Sequence, residues 1–273
     1  MPAATPRTVL ITGASSGIGA ATADWLLQRG WRVVATARRL EAMAPLAERG
    51  ALVLPLDISH AEGRQALATA VQERVGPLDA LVNNAGFGVI GPIETMPLDQ
   101  VRAMFEVNVF GLIGLTQLLL PAMRAQGRGR IVNVSSIAGR WITPGSGWYG
   151  ASKHALEGLS DGLRLELRRF GIDVVLVEPG LIATEFGRVA AASLQRSGDW
   201  SVYGAMMARV QASWEQVFQG ASDPLVVART IEQALNARRP RARYLCGHQS
   251  ASVHASRLLP TRLWDWVVRS RMG

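Results

Sequence analysis

The chain has 273 residues and a formal net charge of +8. Apolar residues make up 48% and charged residues 18%, which excludes a largely disordered chain and allows a sizeable core. The one cysteine, Cys246, excludes an internal disulfide and gives no cysteine-based metal cluster, and the N-terminus lacks the pattern of a secretory leader. We therefore expect a cytoplasmic protein without a metal site.

Basic side chains outnumber acidic ones by 29 to 21, and all of them except Lys153 are arginines. The arginines are scattered along the chain, which favours a solvated surface over a nucleic-acid partner. The longest apolar stretch, at 112–123, is interrupted by polar residues, glycine and proline. It is shorter than the ~20 residues of a membrane span, so we expect no spanning helix.

Short apolar runs alternate with longer amphipathic segments along the chain. The runs at 8–12, 32–37, 52–56, 80–82, 130–134 and 173–177 are typical of strands. Helical periodicity marks 20–29, 64–74, 98–125 and 149–170, and Asp223-Pro224 is typical of the start of a helix that runs to about 237. Because strands without polar alternation are buried on both faces, the pattern predicts a doubly wound parallel sheet, a Rossmann-like α/β fold.

The first strand leads into residues 12–19 (TGASSGIG), which have the spacing Gly-x3-Gly-x-Gly. Glycines let the backbone turn sharply and approach a pyrophosphate, and free N–H groups at a helix start bind anions. A tight turn would also use glycine for steric reasons alone. At the first strand-to-helix junction the segment predicts a dinucleotide site, whose candidate residues are Gly13, Ser15, Ser16, Gly17, Ile18 and Gly19.

The second strand is followed by Arg38 and Arg39, with no carboxylate before Glu41. Cofactors without a 2′-phosphate are usually read at this place by an acidic side chain, whereas guanidiniums suit a phosphate. The pair therefore favours NADP(H) over NAD(H), although both arginines would also serve as ordinary solvated charges. Asp57, after the third strand, would accept from an adenine amine or cap the next helix.

Tyr149 and Lys153 are four residues apart, which places both on one face of a helix. An ammonium near a phenol favours the phenolate and lowers its pKa, so that the tyrosine would exchange a proton with a substrate oxygen. Lysine at this one position, in a chain that otherwise uses arginine, supports a specific need for a compact ammonium.

Six motifs follow one another in this chain: residues 12–19, residues 83–86 (NNAG), Asn108, Ser135-Ser136, Tyr149 with Lys153, and Pro179-Gly180. In this order they resemble the short-chain dehydrogenase/reductase family over about residues 7–187. Residues 34–39 (VATARR) and 152–161 (SKHALEGLSD) are most similar to its steroid- and retinoid-type branch. The resemblance implies a hydride-transferring enzyme that uses a nicotinamide cofactor.

The resemblance also implies catalytic roles for four residues. Tyr149 corresponds to the general acid/base and Lys153 to the lysine that lowers its pKa and holds the ribose. Ser136 corresponds to the serine that polarises the carbonyl, although alone it would suit a turn cap. Asn108 corresponds to the asparagine that interrupts a helix and holds a water in the proton relay, and its amide should have a partner when buried.

Further cofactor contacts follow from the same resemblance. Asn84 corresponds to the residue against the adenine ribose, while Ile182 and Thr184 correspond to residues that hold the nicotinamide amide. Thr184 would equally suit a helix N-cap. The remaining cofactor positions, with Tyr149 and Lys153 shared between both sets, are Ile58, Ala85, Gly86, Pro179 and Gly180.

We expect one domain over 1–273, with a core at about 7–187 and 221–248. A flap at about 188–220 carries seven apolar side chains that would cover a lipophilic substrate or simply pack on the core: Leu194, Trp200, Tyr203, Met206, Met207, Trp214 and Phe218. A tail at about 249–273 would dock beside the active site, meet a second subunit or lie on a membrane surface. Within this tail, the stretch 257–272 interleaves arginines with Leu258, Leu259, Leu263, Trp264, Trp266, Val267 and Val268.

The sequence thus predicts an NADP(H)-dependent oxidoreductase that moves a hydride between nicotinamide and a carbonyl or secondary alcohol of a small lipophilic molecule. Long apolar helices, and the habit of the resembled family, predict a homodimer or homotetramer. The alternative is a dinucleotide-sensing protein that keeps the fold without the chemistry.

Overall fold

A parallel sheet of seven strands runs through the part of the chain that this computed structural model describes, residues 6–194, 201–251 and 260–272. The strands are β1 Thr8–Thr12, β2 Arg32–Ala37, β3 Leu52–Pro55, β4 Ala80–Asn83, β5 Gly129–Val134, β6 Ile172–Pro179 and β7 Arg243–Cys246. The first six predicted strands are confirmed to within two residues at each end, whereas the short β7 was not predicted.

The strand order is β3-β2-β1-β4-β5-β6-β7, so the order reverses between β1 and β4. In doubly wound sheets this reversal opens a crevice at the carboxyl ends of the strands, where ligands bind. The first strand shows why the sheet forms: Val9, Leu10 and Ile11 are fully buried, with Val9 and Ile11 in one apolar cluster and Leu10 in the other. Burial on both faces confirms the predicted fold class.

Ten α-helices lie within the described residues. They are α1 Gly17–Gln28, α2 Ala44–Glu48, α3 Ala61–Arg74, α4 Leu98–Phe105, α5 Leu112–Ala125, α6 Gly147–Leu167, α7 Glu185–Leu194, α8 Gly204–Phe218, α9 Pro224–Asn236 and α10 Thr261–Met272. Helices α1 and α9 pack on one face of the sheet, and α3, α5 and α6 pack on the other. The Asp223 carboxylate accepts from the Leu225 backbone N–H at 2.7 Å, which confirms the predicted start of α9.

The continuous helix predicted for 98–125 is wrong, because a wide π-helical turn at Glu106–Gly111 separates α4 from α5. A Cβ added to Gly111 would lie 2.3 Å from the Ile58 carbonyl oxygen, so the helix approaches the β3–α3 loop very closely at this turn. The whole 28-residue stretch is long and apolar enough to span a membrane, contrary to the sequence argument. Its second part, α5, nevertheless packs on the sheet like a core helix, while Val101 and Met104 of α4 pack in the cluster that contains Tyr149.

Candidate active site

The turn between β1 and α1, residues 13–19, is called the glycine cradle here, and it leaves no room for a side chain at its glycines. Gly13 and Gly17 have φ of 70° and 54°, in the left-handed region that favours glycine. A Cβ on Gly19 would lie 2.2 Å from the Gly13 carbonyl oxygen. Ser15 and Ser16 are half-buried beside this cradle, and Ile18 packs on the core, so a role of Ile18 in binding would use its backbone.

The loop after β4 is fastened to the same turn. The side-chain amide of Asn84 donates to the carbonyl oxygens of Thr12 at 2.9 Å and Gly13 at 3.3 Å. In return, the Thr12 hydroxyl accepts from the backbone N–H groups of Asn84 and Ala85, both at 3.0 Å. Sequence reasoning assigned Asn84 to the ribose and missed Thr12; the hydroxyl residue that ends the first strand was the available signal.

Arg38 and Arg39 follow β2 and are both exposed, as a phosphate site requires. Burial raises the pKa of Asp57, but hydrogen bonds from Ser59 and then the charge of Arg38 bring it below its ordinary value. Asp57 accepts from the Ser59 hydroxyl at 2.6 Å and does not cap α3, whose N-cap is His60. Arg39 is 3.7 Å from the carboxylate of Glu185, so Arg38 and Arg39 differ in their surroundings.

Ile58, next to Asp57, is buried, and its carbonyl oxygen accepts from the Arg64 guanidinium at 2.7 Å. Its side chain belongs to the apolar cluster under α3 and α5. A contact of Ile58 with a ligand would therefore also come from its backbone.

Tyr149 and Lys153 lie one turn apart in α6, and both are buried. Burial raises the pKa of Tyr149 to about 12, and a hydrogen bond with Ser136 offsets part of this. The expectation that Lys153 lowers the tyrosine pKa below its ordinary value is therefore wrong for the protein by itself. Burial also lowers the pKa of Lys153 to about 8, against the charge of Glu157, and its Nζ donates to the Val134 carbonyl oxygen at 2.9 Å.

Ser136 follows β5 and combines the two roles considered for it. Its Oγ accepts from the Ala138 backbone N–H at 3.1 Å, so it caps the short turn Ile137–Gly139. The same hydroxyl is the hydrogen-bond partner of Tyr149. The strand end thereby brings a fixed hydroxyl to the phenol.

Asn108 sits in the π-helical turn, fully buried, and its amide has the partners that burial demands. Its Oδ1 accepts from the Phe87 N–H at 3.0 Å, and its Nδ2 donates to the Phe87 carbonyl oxygen at 2.9 Å and to the Ser152 hydroxyl at 3.1 Å. A Cβ on Gly86 would lie 3.0 Å from Asn108 Oδ1 and 3.8 Å from Lys153 Nζ. Asn108, Gly86 and Lys153 therefore lie next to one another beside α6.

The loop after β6 closes the other side of the crevice. Pro179 ends β6 beside Cys246, and a Cβ on Gly180 would lie 1.9 Å from the His248 carbonyl oxygen. Ile182 is buried in the core. The Thr184 hydroxyl accepts from the Phe186 N–H at 3.3 Å, which is the capping role considered for it, and the Phe186 ring lies 5.3 Å from that of Tyr149.

A cavity of about 610 Å³ opens next to the start of α6, where it is lined by Gly147, two residues before Tyr149. From the flap, Tyr203 and Met206 line it, while Met207 is fully buried in an apolar cluster, so the flap both packs on the core and borders the cavity. From α10, Trp264 lines it and packs edge-on against Trp141 at 5.0 Å. Within the described residues, the tail therefore docks beside the candidate active site through α10. Trp200, Leu258 and Leu259, which the sequence also named, lie outside the described residues.

The crevice fits a dinucleotide on two observations. A Cβ would fill the cradle at Gly13 and Gly19, and α1 begins there with Ser16 giving it no side-chain cap within the described chain. Backbone N–H groups at such a helix start favour a pyrophosphate. The phenol, hydroxyl and ammonium of Tyr149, Ser136 and Lys153 lie at the neighbouring strand ends, where they would act on an oxygen atom.

Comparison with known proteins agrees with this site. The family described as short chain dehydrogenase matches residues 7–195. The NADPH-dependent 3-dehydrocapnine reductase of Ornithobacterium rhinotracheale is 34% identical, with 96% of this chain and 95% of that protein covered. Retinol dehydrogenase 5 of Homo sapiens is 36% identical, with 95% and 87% covered, which loosely supports the retinoid-type branch.

Among solved structures, the short chain dehydrogenase/reductase from Burkholderia phymatum in complex with NAD superposes with a TM-score of 0.79. It is 29% identical, and the match covers 93% of this chain and 94% of that one. Its cofactor differs from that named for the Ornithobacterium reductase, so the comparisons support a nicotinamide dinucleotide without choosing between the two forms.

Proposed function

This chain belongs to the short-chain dehydrogenase/reductase family of oxidoreductases, and from that premise we propose that it interconverts a carbonyl and a secondary alcohol of a lipophilic substrate with NADP(H). The observation that carries the proposal is the convergence of Tyr149, Ser136 and Lys153 beside a glycine cradle and an apolar cavity. We assign the catalytic set Asn108, Ser136, Tyr149 and Lys153.

Tyr149 is the general acid in the direction of reduction. With a pKa raised to about 12, its phenol is protonated at neutral pH and can give its proton to a substrate oxygen. The Ser136 hydroxyl then donates to the phenolate that remains, and the Lys153 ammonium one turn away favours the same charge. When bound, the nicotinamide dinucleotide supplies or accepts the hydride.

The remaining cofactor positions hold and orient the dinucleotide. The residues 13–19 cradle would take the pyrophosphate, and the loop carrying Asn84, Ala85 and Gly86 would lie along the ribose side. Lys153 would hold the nicotinamide ribose, while Ile182 and Thr184 would offer backbone and hydroxyl groups to the amide. Asn108, whose side chain is held by Phe87 and Ser152, would leave the widened backbone of its turn to bind a relay water.

Arg38 supports the preference for NADP(H). It is exposed at the end of β2, and Asp57 is the carboxylate on which its charge acts, whereas Arg39 already meets Glu185. A guanidinium placed there would pair with a 2′-phosphate by charge and by its forked donors. The name of the Ornithobacterium relative, an NADPH-dependent reductase, points the same way.

The cavity supports a lipophilic substrate. Its lining includes Ile93, Ile142, Met206 and Trp264, which are apolar over most of their surface. The relatives named for retinol and 3-dehydrocapnine agree with such a substrate. The flap at about 188–220 and the tail at about 249–273 would act as the substrate cover of a single-domain cytoplasmic enzyme.

We also propose that the enzyme is a homodimer or homotetramer. Large apolar side chains are exposed on the outer faces of α4, the π-helical turn and α6, where Leu98, Phe110 and Leu165 are 52%, 60% and 69% exposed. A second copy would remove this apolar surface from water.

Tyr149→Phe tests the proposed reaction. NADPH oxidation is followed with a carbonyl panel of steroids, retinal, aliphatic ketones and quinones, and we expect turnover to fall by about 10²–10⁴-fold, because the proton donor is lost. NADPH binding, measured by its fluorescence, should stay within about twofold. Undiminished turnover contradicts the assignment of the acid, and NADPH binding by the wild type without turnover on any carbonyl would indicate the sensing protein instead.

A further inference from the structure

The aromatic ring of Phe186, the second residue of α7, lies against the ring of Tyr149. The two ring centroids are 5.3 Å apart, and the ring planes are tilted by 52°. The backbone of Phe186 is fixed at the start of its helix, because its N–H donates to the Thr184 hydroxyl at 3.3 Å. The proposed proton donor therefore has an aromatic neighbour that comes from the segment after β6.

A third residue, Gly88, meets this pair of rings from the loop after β4. A Cβ added to Gly88 would lie 2.8 Å from Cζ of Phe186 and 3.3 Å from Cδ2 of Tyr149. Carbon atoms pack at about 3.5–4.0 Å, so the first of these distances is far too short for a contact. The Phe186 ring thus has its room beside the tyrosine only because residue 88 has no side chain.

Phe186 also joins the proposed proton donor to the flap. It packs against the buried cluster that contains Tyr149 and against the buried cluster that contains Met207. Within the described chain it is the one residue that packs against both. Tyr203 and Met206 pack against the second cluster too, and both line the cavity. Phe186 therefore lies between the cavity and the phenol, on the substrate side of the crevice.

We propose that Phe186 is a specificity-determining residue, which limits the size of one of the two groups on the substrate's carbonyl carbon. This inference rests on the proposed function, because it takes the phenol of Tyr149 as the proton donor. A carbonyl that reaches the phenol from the cavity leaves one substituent in the cavity, and its second substituent must fit beside the Phe186 ring. That ring is packed against Gly88 and Tyr149, so it favours lipophilic ketones with a small second group, such as methyl ketones.

Phe186→Ala tests this size limit with ketones that share one undecyl chain and carry methyl, isopropyl or phenyl as the second group. The measurement is kcat/KM for reduction by NADPH. We expect the wild type to prefer methyl and to reduce the phenyl ketone worst. In Phe186→Ala the ratio of kcat/KM for phenyl to that for methyl should rise by about tenfold or more, because the space of the lost ring admits the larger group.

Val189→Ala is the matched control, because it also shortens an apolar side chain of α7, and Val189 is exposed at its surface. This variant should keep the phenyl-to-methyl ratio within about twofold of the wild type. A loss of kcat/KM in Phe186→Ala that is equal for all three ketones would show that the ring only packs. That outcome would overturn the size limit and leave the proposed reaction intact.

Gly88→Ala approaches the same contact without changing Phe186. The new methyl group must displace the far end of the ring, so we expect kcat/KM for the methyl ketone to fall by about tenfold or more. Leucine has no Cζ, so Phe186→Leu combined with Gly88→Ala should recover most of that loss. Losses that simply multiply in the double variant would contradict the contact between residues 88 and 186 as the wall of the site.

Binding without turnover separates this inference from the proposed function. With NADP⁺ bound, no hydride is available to a ketone, so affinities for the same three ketones can be measured by tryptophan fluorescence, since Trp264 lines the cavity. Phe186→Ala should improve the affinity for the phenyl ketone relative to the methyl ketone by about tenfold. This change in a protein that reduces no ketone would support the size limit and count against the proposed reaction. An unchanged ratio of affinities would overturn the size limit, whether or not the protein is active.

Discussion

The cofactor half and the substrate half of the crevice are built by different means. On the cofactor side, backbone approaches its neighbours so closely that a Cβ on Gly19 or Gly180 would collide with a carbonyl oxygen. On the substrate side, α8 and α10 reach the cavity through side chains: Met206 comes from α8, and Trp264, which packs on Trp141, comes from α10. The place of the chemistry on the cofactor side, called the fixed half below, is therefore set by the main chain. The shape of the substrate site depends instead on side chains that can be substituted one at a time.

The strongest test of the fixed half is Gly19→Ala. The new methyl group would lie 2.2 Å from the Gly13 carbonyl oxygen and 2.6 Å from Asn84 Nδ2, so the cradle must shift. We expect NADPH affinity, measured by fluorescence titration, to fall by about 100-fold or more. Gly158→Ala, in α6 with open space around its Cβ position, is the control and should leave both affinity and stability unchanged or slightly improved. Similar behaviour of the two variants would contradict the fixed cradle.

A side-chain contact in the same half should have a smaller effect. We expect Arg38→Asp to weaken NADPH binding by about 10–100-fold and NADH binding far less, because a charged pairing with the 2′-phosphate is lost. Arg39→Asp is the paired control, since Arg39 already meets Glu185 and should matter less. Equal losses for both dinucleotides would remove the argument for the phosphate.

Much of the fixed half could be predicted from the sequence, because its signals are local. Because the strands are buried on both faces and the turn needs glycine at particular positions, β1 and residues 12–19 can be predicted from the sequence alone. Asp223 and Pro224 likewise predict the start of α9.

The remaining features depend on contacts between distant segments. Strand β7 is short and begins with Arg243, whose ion-pair partners Glu157 and Glu178 lie far away in the sequence. Neither the strand nor these buried ion pairs therefore produce a local sequence pattern. The pKa direction of Tyr149 was predicted wrongly because spacing reveals a neighbouring ammonium but not the depth of burial. The break in the predicted 98–125 helix needs the Phe87 backbone to hold Asn108.

In the substrate half, Trp264→Ala should act on one class of substrate only. Removing the indole opens the cavity and takes away its contact with Trp141, so we expect KM for a lipophilic ketone to rise by about tenfold. KM for a small aliphatic ketone and the affinity for NADPH should not change. Trp266→Ala, two residues on and 64% exposed, serves as control, and an equal effect of both variants would argue against the docked tail as a substrate cover.

The mildest expected effect is a pH dependence of stability that comes from the buried Glu157 in α6. Since the folded pKa of Glu157 is raised from 4.5 to about 7, the folded protein holds that proton more tightly, and this contribution to stability is lost as pH rises toward 7. In urea unfolding, the wild type should lose on the order of 1 kcal/mol between pH 5 and pH 7.5 relative to Glu157→Gln. Parallel curves for the two proteins would show that burial of the carboxylate has no such cost.

The π-helical turn at Glu106–Gly111 has a consequence for changes of chain length. Buried residues recur there at intervals of four, from Met104 through Asn108 to Leu112, whereas each such interval in a regular helix drifts by about 40° around the axis. The widened turn absorbs this drift and keeps all three side chains pointing inward. Deleting one residue from it would restore ordinary winding, but it would also rotate the helix after the cut and turn apolar side chains outward, so single-residue deletions should be far more damaging here than in the middle of α3.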